Sequence, residues 1–161
     1  MPILYRDIFV ALDREQINYL VAGGFAVNLH QVQRATVDLD LILDLNESNV
    51  LKFVGVATQL GFKPRVPVAA IDLANAEKRH EWIREKGMMV FSFHNPQNPF
   101  ETIDIFVEEP KPFADLASRQ LVVEAFGVKI KVLGRDDLIE LKIKAGRDKD
   151  LYDVKQLQKS R

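Results

Sequence analysis

Residues 21–43 read VAGGFAVNLHQVQRATVDLDLIL, and this stretch decides the fold. Its first part continues a short apolar run, Asn18 to Ala22, that ends abruptly in Gly23-Gly24. A strand that stops at paired glycines and is followed by apolar residues predicts strand, turn and a short helix over 24–31. Residues 37–44, VDLDLILD, alternate at their start and predict a second strand. Alternation assigns Val37, Leu39, Leu41 and Leu43 to a core face. Arg34, Thr36, Asp38 and Asp40 share the other face if the strand begins early enough. Carboxylates at i and i+2 repel, so one of them has its pKa raised unless a cation intervenes. A divalent metal supplies such a cation, and Asp oxygens suit magnesium. The glycine pair lacks side chains, so its backbone N–H groups are open to an anion. A phosphate cradle beside magnesium-holding carboxylates is equipment for nucleotide chemistry.

Working outward, Ile3, Ile8, Leu12 and Ile17 lie near helical spacing and predict an amphipathic helix over 3–16. Residues 48–60 predict a helix stopped by Gly61, and 73–86 a helix capped by Asp72 and stopped by Gly87. MMVFSF (88–93) and 99–107 read as strands, and 119–133 as a hairpin about Gly127. Helices over 135–145 and 148–159 close the chain, separated by Gly146. The expectation is one α+β domain over 1–161 with mixed α/β order, its single mixed sheet flanked by helices.

Composition narrows the chemistry. The 161 residues include 22 Lys+Arg against 23 Asp+Glu, so any basic footprint is local. There is no cysteine, which removes thiol catalysis, zinc–thiolate sites and disulfides. The three histidines, His30, His80 and His94, are too scattered for a local metal motif. No targeting signal or membrane span is legible, and a soluble cytoplasmic protein is expected.

The order apolar–Gly23-Gly24, thirteen residues, Asp38-Leu39-Asp40-Leu41 resembles the signature of the DNA polymerase beta-like nucleotidyltransferase superfamily. Thr102-Ile103-Asp104-Ile105-Phe106 supplies the third carboxylate that this resemblance requires. Arg34-x-Thr36 and the closing DLIELKIKAGRDKDLYDV (137–154) are similar to the minimal AbiEii-type, lincosamide-nucleotidyltransferase-like branch. The AbiEii-type toxins are longer, so the resemblance carries the core chemistry further than a toxin role.

The resemblance implies transfer of an NMP from an NTP to an acceptor hydroxyl, with pyrophosphate released and two magnesium ions held by Asp38, Asp40 and Asp104. Gly23, Gly24, Arg34, Thr36 and Lys142 would bind the nucleotide. Asp150 and Asp153 share a helix face and read as a salt-bridge scaffold for Lys142 or Arg147. Leu151, Val154 and Leu157 read as that helix's core stripe. The charge-dense segment 76–87 reads as a solvated helix face with Trp82 and Ile83 covering the core, or else Arg79, His80 and Trp82 meet base or acceptor. A catalytically silent NTP- or partner-binding module of a toxin–antitoxin system is the second reading, and a toxin acting on tRNA the third. The acceptor stays open among small molecule, tRNA and protein; a homodimer would complete a shallow cleft, and a cognate toxin–antitoxin partner is the other partner expected.

Overall fold

The structure, a computed structural model, describes residues 5–160. Ile3, at the head of the first predicted apolar stripe, lies outside the described residues.

Two strands from the deciding stretch form the centre of the sheet. β1 (Tyr19–Ala22) and β2 (Leu39–Leu43) run antiparallel, with Ala22 opposite Asp40. Between them α2 (Gly23–Leu29) starts directly at the glycine pair, following α1 (Arg6–Arg14). Next come α3 (Glu47–Gln59), capped by the Asn46 side chain, the two-residue strand β3 (Lys63–Pro64) and a 3-10 turn over Ala70–Ala74. α4 (Ala76–Lys86) leads into the hairpin of β4 (Val90–Asn95) and β5 (Asn98–Phe106). α5 (Phe113–Ser118) precedes the hairpin of β6 (Leu121–Ala125) and β7 (Val128–Val132). α6 (Arg135–Ala145) and α7 (Asp148–Lys159) finish the chain.

The seven strands form one mixed sheet in the order β3-β4-β5-β2-β1-β7-β6. β2 pairs parallel with β5, and β1 parallel with β7. Strand alternation divides the sheet into two chemical faces. Leu39, Leu41, Ile103, Ile105, Phe91 and Phe93 are buried on one. There Phe53 of α3 meets Phe93 with ring centroids 5.7 Å apart, and Trp82 of α4 meets Phe91 at 5.3 Å. The opposite face is covered at β1 and β2 by α2, which also touches α6. Among the described residues no helix is long and apolar enough to cross a membrane.

The structure departs from the sequence pattern at several positions. β2 begins at Leu39, so Val37 is 50% exposed and does not enter the core. Residues 32–38 are irregular, because the chain must travel from the end of α2 back to the sheet. Asn75, not Asp72, caps α4 by accepting from the Lys78 amide; Asp72 sits in the 3-10 turn and pairs with Lys78 at 2.9 Å. Trp82 is core, and so is the buried Arg79, whose guanidinium donates to the carbonyls of Leu73 and Leu45. Both are turned into the interior, whereas His80 is exposed. In α7, Val154 and Leu157 are buried but Leu151 is 44% exposed, because that helix turns Asp150 and Asp153 inward instead. The short α5 and β3 carry too few residues to show a period.

Candidate active site

Register places the carboxylates. The parallel pairing of β2 with β5 sets Asp40 beside Asp104, and the antiparallel pairing of β4 with β5 sets Ser92 beside Asp104. Residues opposite one another on neighbouring strands project to the same face. Ser92, Asp104, Asp40 and Ala22 therefore form one row across four strands, ending at the glycine turn. The Ser92 hydroxyl donates to Asp104 Oδ1 at 2.6 Å.

Two acids side by side cannot both ionise freely. Burial raises the Asp40 carboxyl from 3.8 to about 7, and the neighbouring Asp104 and Asp38 charges push the same way, against the pull of Lys142. Burial also raises Asp104, against the Ser92 hydrogen bond and the Arg65 charge. Without a counter-cation, burial and the neighbouring acids therefore disfavour ionising both carboxyls together. Such a pair of oxygen donors, each costly to ionise, fits a hard divalent cation. Asp38 is exposed, just ahead of β2, and among the described residues no three His, Cys, Asp or Glu side chains are gathered into a ready cage.

The glycine turn is tightly built. Gly23 has φ +60°, and a Cβ there would collide with the Asp40 carboxylate. A Cβ on Gly24 would stand 2.5 Å from Thr36 Oγ1 and 2.7 Å from Arg34 Nη1. Only glycine allows the turn, the Arg34–Thr36 segment and Asp40 to meet. Together they line a cleft of about 220 Å³ with Asp38, Lys142, Arg147 and Lys149. Asp104 does not line that cleft; it stands beyond Asp40, on the side of β4 and β5.

Cations reach the cleft through a network anchored on the buried Asp150 and Asp153. Asp153 of α7 binds Lys142 Nζ at 2.9 Å and Arg34 Nη1 at 3.1 Å. Asp150 binds Arg147 Nε at 2.7 Å and Lys142 Nζ at 3.5 Å. Arg147 and Lys142 hold the Asp150 carboxyl below the usual carboxylate range, against its burial. The Asp150/Asp153 pair is thus a scaffold that fixes Lys142, Arg34 and Arg147. Buried charges are tolerable only when paired this completely.

The structure thus brings Gly23, Gly24, Arg34, Thr36, Asp38, Asp40 and Lys142 to one cleft and Asp104 to its flank. Sequence reading did not place Ser92, Arg65 or Lys149 here. The signal for Ser92 and Arg65 was strand register with Asp104, which a single sequence does not reveal. Tyr5 was also missed. Its hydroxyl lies 2.6 Å from the Val37 carbonyl and accepts from the Thr102 amide at 2.9 Å, tying the segment before Asp38 to β5.

No protein-family model matches the sequence, and no curated protein matches it. Solved structures match it in three dimensions. ANT(2'')-Ia in complex with adenylyl-2''-tobramycin superposes with a TM-score of 0.62 at 15% identity, over 98% of this chain and 87% of that one. The lincosamide antibiotic adenylyltransferase LnuA, lincomycin-bound, gives 0.62 at 15% identity, over 96% and 94%. This chain has the nucleotidyltransferase fold. An antigenic nucleotidyltransferase-like protein from Paracoccidioides brasiliensis gives 0.58 at 15% identity, over 96% and 73%. The nucleotidyltransferase fold accounts for the mixed sheet; the chemistry rests on the residues described above.

Proposed function

We propose that the chain is a nucleotidyltransferase that moves an NMP from an NTP to an acceptor hydroxyl and releases pyrophosphate. One observation carries this reading: the Asp40–Asp104 pair abuts a glycine turn whose cleft is lined by Lys142, Arg34, Arg147 and Lys149. Carboxylates on one side and fixed cations on the other match a triphosphate drawn across the strand ends. The sequence likeness of the closing segment 137–154, in which Lys142, Asp150 and Asp153 are buried and Arg147 is exposed, is what favours the AbiEii-type branch among the resemblances.

The NTP phosphates lie against the Gly23 and Gly24 amides, with Lys142, Arg34 and Arg147 balancing their charge. Asp38 and Asp40 would hold one magnesium ion and Asp40 and Asp104 a second; bound there, these ions lower the pKa of the acceptor hydroxyl and offset charge on the attacking and leaving oxygens. Asp104, oriented by Ser92, faces the acceptor and takes its proton. The acceptor oxygen bonds to the α-phosphorus as the bond to the β-phosphate oxygen breaks, and pyrophosphate leaves in line. Thr36 and Tyr5 position the segment that carries Asp38.

The test is label transfer into a cell extract. With α-labelled NTP the wild-type chain deposits label on an acceptor, and with γ-labelled NTP it deposits none. Label arriving only from the γ position means a kinase-type transfer and rejects the reading. Magnesium-dependent NTP binding with no transfer from either position favours the silent binding module.

A further inference from the structure

Strand register defines a second half of the site, beyond the cleft. Lys63 is paired with His94, and His94 with Thr102. Ser92 is paired with Asp104, and the Arg65 amide continues that ladder by donating to the Ser92 carbonyl at 2.9 Å. Alternation therefore sets Lys63, Arg65, Ser92, His94 and Thr102 on the same sheet face as Asp104. The opposite face of these strands is the aromatic core. Lys63 and Arg65 are exposed and Ser92, His94 and Asp104 half-buried, so solvent reaches this face.

Its charge is specific. Arg65 Nη2 donates to Thr102 Oγ1 at 2.9 Å, which aims the guanidinium across β4 towards Asp104. Among the described residues, neither Arg65, Lys63 nor His94 makes an ion pair. The guanidinium keeps most of its donors for a partner and matches phosphate geometry two bonds at a time. In the cleft Lys142 and Arg147 are by contrast each held in place by an ion pair to Asp150 or Asp153. No carboxylate besides Asp104 falls among the paired residues that make up this patch.

Resting on the nucleotidyltransferase reading, we infer that the open face of β3, β4 and β5 is the acceptor subsite, and that Arg65 selects an acceptor bearing a phosphate near its reacting hydroxyl. The acceptor hydroxyl meets Asp104, the phosphate meets Arg65 with Lys63 behind it, and Ser92 and His94 stand between them. A polycationic acceptor such as tobramycin meets like charge at Arg65 and Lys63 and is disfavoured. Phosphate of this kind comes from a small sugar phosphate or from the terminal nucleotide of single-stranded RNA, and both sources present the same group to Arg65.

The experiment uses the full chain, labelled with nitrogen-15, with magnesium and a non-hydrolysable NTP bound. Ribose 5-phosphate, an RNA oligonucleotide and tobramycin are titrated separately while backbone amide resonances are followed. Occupancy of the nucleotide cleft by the NTP analogue is established first, and its failure would count against the function, not against this subsite. The expected result is saturable shifts at the Arg65, Ser92, Thr102 and Asp104 amides with at least one phosphate probe. The probe that saturates identifies the source. Arg65→Gln, which keeps an N–H for Thr102 but loses the charge, should weaken that probe about tenfold, as expected for one charge-assisted contact. Arg65→Lys should recover part of the affinity. The inference is overturned if neither phosphate probe moves these amides. It is also overturned if Arg65→Gln binds as wild type does, or if tobramycin maps to this face more tightly than either phosphate.

Discussion

Asp40→Asn should make the metal-free protein more stable at alkaline pH. In the fold the Asp40 carboxyl is raised to about 7 from 3.8, first by burial and then by Asp104 and Asp38. A raised carboxyl pKa means that the folded state binds a proton the unfolded chain releases. Stability is therefore fully present below the unfolded pKa and declines as pH rises towards 7. A shift of about three pH units corresponds to about 4 kcal/mol once both states are ionised. At pH 4 the same calculation leaves less than about 1 kcal/mol. Asparagine is close to the same size and carries no charge, so it removes the penalty without opening a cavity. Urea denaturation in chelator, at pH 4 and pH 8, measures the difference. The variant should gain roughly 2–4 kcal/mol over wild type at pH 8 and little at pH 4. A gain that is the same at both pH values, or a loss at pH 8, would mean that Lys142 compensates the Asp40 charge and would refute the argument. Magnesium should close the gap by stabilising wild type selectively.

Other consequences follow from the same network. Gly24→Ala places a methyl group 2.5 Å from Thr36 Oγ1, so Thr36 and Arg34 must shift, and calorimetric NTP-analogue affinity should fall by about tenfold or more while a cooperative thermal transition remains. Asp153→Ala leaves Lys142 and Arg34 without their shared partner in a buried site, and urea denaturation at neutral pH should register a loss of about 3–5 kcal/mol. Chelator should weaken NTP-analogue binding strongly, because Asp38 and Asp40, which line the cleft, then face the triphosphate without a counter-cation; isothermal titration with and without magnesium reads this directly.

The glycine turn and the carboxylates were legible because each imposes a local pattern. Gly23-Gly24 marks an end of strand, and Asp38 and Asp40 are the polar positions of the alternation that starts at Val37. Asp104 stood out by its apolar neighbours Ile103 and Ile105. The antiparallel order of β4 with β5 and of β6 with β7 followed from short turns. The start of β2 was misread because Val37 fits the alternation yet lies outside the ladder, held at its carbonyl by Tyr5. Leu151 was misread because the periodicity of α7 is set by its buried aspartates as much as by its aliphatic residues. Arg79 carries a charge and still belongs to the interior, since its guanidinium caps the carbonyls of Leu73 and Leu45. Ser92 and Arg65 reach Asp104 only through strand pairing across the sheet, which spacing along the chain does not encode. The Lys142–Asp153–Arg34 link joins residues more than a hundred positions apart, and only the fold discloses it.

The central claim is that the Asp40–Asp104 pair performs transfer and does not merely hold a nucleotide. Asp104→Asn tests it most directly, because the change is nearly isosteric between the buried Ile103 and Ile105 and the Ser92 hydroxyl can still donate to the amide oxygen. Label transfer from α-labelled NTP into extract should fall on the order of 10²–10³-fold, the equivalent of roughly 3–4 kcal/mol of transition-state stabilisation. NTP-analogue affinity should stay close to that of wild type, since the residue lies outside the nucleotide cleft. Transfer that persists undiminished in a folded Asp104→Asn chain would contradict the account.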